Sequence, residues 1–181
     1  MALRKAAAYS KKYTRPYTRK SKKKNKSYIK TVPQHKIVKF KMGDLKGYDK
    51  GKYHFLLRVK ADENVLIRDN ALEAVRQYVN KQLDKALPAM YYFEVKPFPH
   101  HILRENKMLT GAGSDRMQTG MQLSFGKAMG RAAMVKAGQE IITIGTFNLK
   151  SMQTARTIIN KVKSKFPCKV HSEFEKVEKA V

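Results

Sequence analysis

Val65-Leu-Ile-Arg-Asp-Asn-Ala-Leu-Glu-Ala-Val-Arg-Gln-Tyr-Val-Asn-Lys-Gln-Leu-Asp-Lys-Ala-Leu-Pro88 decides the fold, because its apolar pattern changes once. Val65 to Arg68 is a short β-branched and aliphatic run that reads as a strand. From Asp69 the pattern turns helical: Leu72, Val75, Val79, Leu83 and Leu87 recur at spacings of three and four, so they share one face. Asn70 with Glu73 has capping-box spacing, and Pro88 stops the helix. The stripe is most simply core.

Outward from this segment, Ile37 to Phe40, Tyr53 to Lys60 and Tyr91 to Phe98 also read as strands, with turn signals at Met42-Gly43-Asp44 and Lys46-Gly47-Tyr48. Later candidates are Ala132 to Lys136, Glu140 to Phe147 and Lys169 to Phe174. A second helix is expected from Leu149 to Phe166, with Met152, Ala155, Ile159, Val162 and Phe166 as its stripe and Pro167 at its end. Strands in runs with only two long helices predict an α+β fold. Its antiparallel or mixed sheet is covered on one face by the helices, without βαβ alternation. There is no internal repeat.

Charge is the second constraint. The 181 residues carry 39 Lys and Arg against 14 Asp and Glu, a formal net charge of +25. A surface so positive repels itself and calls for a polyanion. A membrane fits less well than nucleic acid, since no stretch approaches the roughly 18 apolar residues of a spanning helix. The basic residues are also spread along the chain instead of lining one amphipathic helix.

Met1 to Lys41 holds fifteen Lys and Arg and no acid, the first acid being Asp44. Residues 1–36 therefore read as a basic arm, 37–176 as one globular domain and 177–181 as a tail. Tyr9, Tyr13, Tyr17 and Tyr28 are interleaved with the cations, so phosphates meet Lys and Arg while rings stack on bases. Arg4, Arg15, Arg19, Lys22, Lys23, Lys24, Tyr28 and Lys30 are the arm residues expected to bind RNA. A solubilising or import tail is the plainer alternative.

The acid-free, Ala-rich start loosely resembles a transit peptide but has no apolar h-region, so the Asn25-Lys26-Ser27 sequon carries no weight. Cys168 is the sole cysteine, which excludes an intramolecular disulfide and a Cys-rich zinc site.

Arg104 to Arg131 is the stretch that least resembles ordinary structure, with five Gly and no sustained period. Connections beyond about 12 to 15 residues are uncommon in compact domains and usually functional or disordered. Arg104, Lys127 and Arg131 complete the expected RNA-binding set. Nucleotide-loop readings fail: Arg116 stands where a dinucleotide fingerprint needs its third Gly. Gly120 and Gly126 are wrongly spaced for a P-loop, and Ala128 replaces its Ser or Thr.

Asp115 beside Arg116 is the best candidate for enzymatic work, as in pseudouridine-forming enzymes, but nothing else in the sequence supplies a convincing partner for it. His100 and His101 point to opposite faces of an extended chain, a poor metal pair. No catalytic residue, cofactor or metal is expected. An RNA-modifying enzyme and a free nucleic-acid chaperone are the competing readings.

The loop Asn106-Lys-Met-Leu-Thr-Gly-Ala-Gly-Ser-Asp-Arg-Met-Gln-Thr-Gly-Met121, followed by Phe125-Gly-Lys127, resembles the archaeal-type L-ten-e family of large-subunit ribosomal proteins, counterpart of bacterial L-sixteen. Tyr28 to Pro33, Lys36 to Phe40, Ile67 to Ala74 and Pro97 to His101 extend the likeness over nearly the whole chain. Gln122-Leu-Ser124 replaces the family's usual Arg-Gly-Ala, Ala128 its Pro, and the usual Arg-Pro-Ala run of the arm is represented only by Arg15-Pro16.

The resemblance implies an α+β domain embedded in large-subunit ribosomal RNA of the cytoplasmic ribosome. Lys107, Met108, Thr110, Gly111, Gly113, Asp115, Arg116, Gln118 and Gly120 would face the peptidyl-transferase centre. Implied partners are the ribosomal RNA with the 5S RNA region, A- and P-site tRNA and neighbouring ribosomal proteins. No membrane and no second copy of the chain are among them. The implied roles are tRNA accommodation and late subunit maturation, with RNA performing the chemistry.

Overall fold

The computed structural model describes residues 32–105 and 127–177. Its strands are β1 Lys41–Gly43, β2 Phe55–Ala61, β3 Val65–Arg68, β4 Tyr91–Val95, β5 His101–Glu105, β6 Lys127–Val135, β7 Glu140–Thr146 and β8 Val170–Lys176. Its helices are α1 Leu45–Asp49, α2 Asp69–Ala86 and α3 Leu149–Val162, the last tightening into a 3-10 turn at Lys163–Lys165. The fold is α+β with two sheets. A five-stranded sheet has the order β1-β4-β7-β2-β8 and a three-stranded one the order β3-β6-β5. The strand pairs among the described residues are antiparallel, so the mixed alternative drops out.

β7 lies at the centre of the large sheet, and its Ile-Ile-Thr-Ile-Gly-Thr run is buried from Ile141 to Thr146. β2 beside it alternates: Leu57, Val59 and Ala61 join the main core while Arg58 and Lys60 point to the other face. Against the core face lie α2, through Leu72, Val75, Val79 and Leu83, and α3, through Met152, Ala155, Ile158, Ile159 and Val162. Fully burying each Val, Leu, Ile or Met side chain of this set contributes roughly 1.5–3 kcal/mol relative to exposure. Val65, Ile67, Ala133 and Val135 carry the small sheet into the same core. Among the described residues, the smaller cluster on its other face consists of Leu66, Leu103 and Ala132, with Met134 partly buried against them.

Several sequence expectations are corrected. Ile37 to Phe40 is not a strand. The amides of Lys36 and Val38 donate to the carboxylates of Asp69 (3.0 Å) and Glu73 (3.3 Å), not to a ladder. This also removes the capping box. Glu73 is held by Arg76 Nε and Nη2 at 2.8 and 2.6 Å and by Gln77 at 2.9 Å, while Asp69 Oδ1 accepts from the Asn70 amide at 2.9 Å. Two carboxylates one helical turn apart thus grip the incoming chain.

The Gly43 turn signal lies inside β1 at φ +85°, where a Cβ would sit 2.1 Å from the Tyr91 carbonyl oxygen. Only glycine fits there. The Lys46-Gly47-Tyr48 signal belongs to α1, capped by Asp44 accepting from the Gly47 amide at 2.9 Å. Tyr91 to Phe98 ends as a strand at Val95, and β5 was not expected at all.

Candidate nucleic-acid interface

β5 and β6 form a ribbon whose register runs from His101↔Ala132 to Glu105↔Lys127. The segment 104–131 is therefore not a loop throughout: Arg104, Glu105 and Lys127 to Arg131 belong to paired strands, and the connection between them spans 106–126. A register shift between Leu103 and Arg104 marks a bulge, which bends a ribbon and increases its twist. Burial falls away along it. His101, Ile102, Leu103, Ala132 and Ala133 are buried, whereas Arg104, Glu105 and Ala128 to Arg131 are half-exposed and Lys127 is exposed. The ribbon is rooted in the domain, and its exposure rises toward Glu105 and Lys127.

Arg131 joins this ribbon to the arm. Its Nε donates to the carbonyl oxygen of Pro33 at 2.6 Å, across 98 positions of sequence. Pro33 and Lys36 fall within the segment expected as an arm, yet both are bonded to the body. The root of the arm and the root of the loop thus lie side by side. Next to Pro33, an aromatic cluster forms where Phe40 stacks on Phe98 (5.4 Å between centroids), and His35 and His100 pack against Phe98 at 5.2 and 4.5 Å.

Of the expected site residues, Arg104, Lys127 and Arg131 are thereby placed on one ribbon. Arg4, Arg15, Arg19, Lys22, Lys23, Lys24, Tyr28 and Lys30, and Lys107, Met108, Thr110, Gly111, Gly113, Asp115, Arg116, Gln118 and Gly120, lie outside the described residues. Reading along the sequence missed the Pro33–Arg131 contact and the His101 anchor. A contact across 98 positions leaves no periodic trace.

The histidines divide as an extended chain requires. His100 is exposed; His101 is buried, and burial together with nearby Arg104 holds its pKa below the ordinary value. Cys168 is half-buried, its thiol pushed up to about 11 by burial and by Glu63 and Asp62, so it is protonated at neutral pH. No group of three or more His, Cys, Asp or Glu is arranged to hold a metal among the described residues.

An open groove of 870 Å³ lies between β1, α1 and α2, and several of its polar groups are mutually occupied. Arg76 is bound to Glu73, and the Tyr91 hydroxyl donates to Asp84 at 2.5 Å. Burial and Asp84 both push Tyr91 up, which keeps it neutral. No helix of the described residues is long and apolar enough to cross a membrane.

These features define a small α+β domain that carries Arg104, Lys127 and Arg131 on one ribbon, in a chain of net charge +25. Residues 15–172 match the family model described as ribosomal protein L16p/L10e, and the chain belongs to that family. It is 43% identical over 148 residues to a large ribosomal subunit protein uL16 of Methanococcus maripaludis, covering 80% of this chain and 83% of the relative. With the protein of the same name from Thermofilum pendens it shares 44% over 141 residues, covering 77% and 81%. Membership makes it a ribosomal protein and not an enzyme, so Asp115 loses its catalytic reading.

Proposed function

We propose that this chain is a structural constituent of the large ribosomal subunit in the cytoplasm. It binds large-subunit ribosomal RNA through the arm and the base of the ribbon, and it extends residues 106–126 toward the peptidyl-transferase centre and bound tRNAs. The observation that carries this reading is the Arg131–Pro33 bond, which roots the arm and the loop at one place. RNA gripped by the arm then fixes where the loop points. Arg104 and Lys127, paired strand residues near the loop, meet phosphates, and the arm's tyrosines meet bases.

The family likeness supports roles in tRNA accommodation and late subunit maturation, beside A- and P-site tRNA and the 5S RNA region. Chemistry at that site belongs to the RNA. The test is to shorten Thr110 to Thr119 and follow the variant on sucrose gradients at low and high salt, then in tRNA-dependent peptide-bond assays. The loop belongs to neither helix stripe, so the free protein should keep its Tm within about 2–4 °C, equivalent to about 1 kcal/mol for a chain of this size. Subunits carrying the variant should be slow in tRNA accommodation. Normal accommodation, or failure of the wild-type chain to sediment with large subunits, would overturn the proposal.

A further inference from the structure

The two faces of the five-stranded sheet are electrically unlike. On the face away from the helices, basic groups are paired with acids. Arg58 bridges Glu140 and Glu175 at 2.8 and 2.6 Å, Lys60 meets Glu173 at 2.5 Å, and Lys96 lies between Glu94 and Glu140 at 3.6 and 3.8 Å. Lys41 also reaches Glu94, and His171 contacts Asp62 and Glu173. This face is close to neutral in a chain of +25.

On the helix-covered side, α3 is the opposite. No Asp or Glu occurs between Glu140 and Glu173, a stretch that includes all of α3. The exposed side of α3 carries Lys150, Gln153, Arg156, Asn160 and Lys161, followed by Lys165 on the adjoining turn. Lys150, Arg156 and Lys161 make no ion pair among the described residues.

Helix electrostatics do not account for this arrangement. Cations in the last turn complement the helix dipole, which suits Lys161. Lys150 occupies the first turn, where positive charge is disfavoured, and no acid or side-chain cap offsets it. Lys165, on the 3-10 turn, places its ammonium 5.7 Å from the centroid of the Tyr78 ring, which leaves Lys150, Arg156 and Lys161 as the cations of this face that make no ion pair among the described residues. The face holds its charge at a cost to the isolated domain, which an external anion would offset.

We infer that the exposed face of α3 is a second RNA-docking surface, seated along the sugar-phosphate backbone of a ribosomal RNA duplex, and that the ion-paired sheet face points away from RNA. This rests on the proposed RNA-binding role and adds to it a surface remote in sequence from the arm. Lys150 to Lys161 spans about 16 Å at the rise of an α-helix. Duplex nucleic acid of about one charge per 1.7 Å, on the B-DNA scale, presents several phosphates over that length. Lysine, arginine and amide side chains are donors suited to phosphate and ribose oxygens without base specificity.

The experiment uses the full chain and protein-free large-subunit ribosomal RNA, with binding measured against salt. Wild type is compared with K150Q/R156Q/K161Q and with K41Q/K60Q/K96Q, which removes equal charge from the sheet face. The helix variant should lower the slope of log K against log salt by roughly 0.9 for each phosphate no longer neutralised, about 2 to 3 in all. The sheet variant should lower it by less than about 1 on the same scale.

A hydroxyl-radical source tethered at T157C, in a C168S background, should cut discrete RNA positions, and one at E175C should not. Equal slopes for the two variants, stronger cutting from position 175, or crosslinking of α3 to a protein instead of RNA in whole subunits would overturn the inference. Absence of specific wild-type binding would instead overturn the RNA-binding role itself, so the two failures are distinguishable.

Discussion

The five-stranded sheet and the β3-β6-β5 sheet are built from similar residues but are buried differently. The first is sandwiched between two helices and a lattice of ion pairs, so β7 is buried from Ile141 to Thr146. The second shares that core on one face only; on the other it has the cluster of Leu66, Leu103 and Ala132, and exposure rises along β5 and β6 toward Glu105 and Lys127. Global stability therefore resides in the first and local opening in the second. Under the proposed RNA-binding role, the segment that would adapt to an irregular RNA surface is drawn from the weaker part of the fold.

The largest expected effect lies where the two sheets meet the helices. Val79 is wholly buried on α2, and Val79→Asp would place a carboxylate there without a partner. An uncompensated buried charge costs about 3–5 kcal/mol, a large part of the stability of a domain this size. Thermal unfolding followed by circular dichroism should show a fall in Tm of roughly 10 °C or more, or no cooperative transition at all. An unchanged Tm would show that α2 does not anchor the fold.

A matched pair of truncations sharpens the contrast between the sheets. Leu57, at 1% exposure in β2, belongs to the main core, while Leu103, at 8% in β5, belongs to the small cluster. Leu→Ala costs span about 2.7–5 kcal/mol according to how far the site can collapse. Leu57→Ala should fall near the top of that range and Leu103→Ala near or below its bottom. Hydrogen exchange distinguishes them further: Leu103→Ala should speed exchange of β5 and β6 amides while leaving β2 and β7 protected. Uniform loss of protection in both variants would mean that the sheets open as one unit.

Periodicity explains what could be read without coordinates. The stripe Leu72, Val75, Val79 and Leu83 is buried as its spacing required, because a helix facing one core repeats every three or four residues. Glu73 misled for a physical reason. Its spacing from Asn70 suits a cap, but Arg76, Gln77 and the Val38 amide compete for the same carboxylate, and the last of these comes from a segment remote in sequence.

β5 escaped notice because its Arg and Glu end lies on a partly solvated ribbon and has no apolar alternation to display. The candidate site was legible as composition, in the basic arm and the Gly-rich loop. Its geometry depends on the Arg131–Pro33 contact, for which the chain has no local signal. The acid-free run between Glu140 and Glu173 was visible in the sequence, but its meaning required knowing which face of α3 is buried.

The smallest expected effect is also the most local, since each sheet carries a histidine displaced in a different direction. In β8, hydrogen bonds to Asp62 and Glu173 raise His171 above the ordinary value of about 6.5. In β5, burial and then Arg104 lower His101. The signs for stability follow by linkage. His171 contributes fully below about pH 6.5, and that contribution is lost as pH rises through its folded-state value. Its exposure keeps the effect small.

His101 works the other way. Stability tied to its neutral form is present above about pH 6.5 and is lost as pH falls toward its folded value. Proton NMR titration of the ring resonances should therefore find His171 titrating above His101, with Asp62→Asn moving His171 downward and leaving His101 in place. Acidification through that window should lower the protection factors of β5 and β6 amides, taken relative to intrinsic exchange at each pH, before those of β2 and β8. If both rings titrated together near the ordinary value, the ribbon root would be as solvated as the outer sheet face, and its anchoring by buried His101 would have to be abandoned.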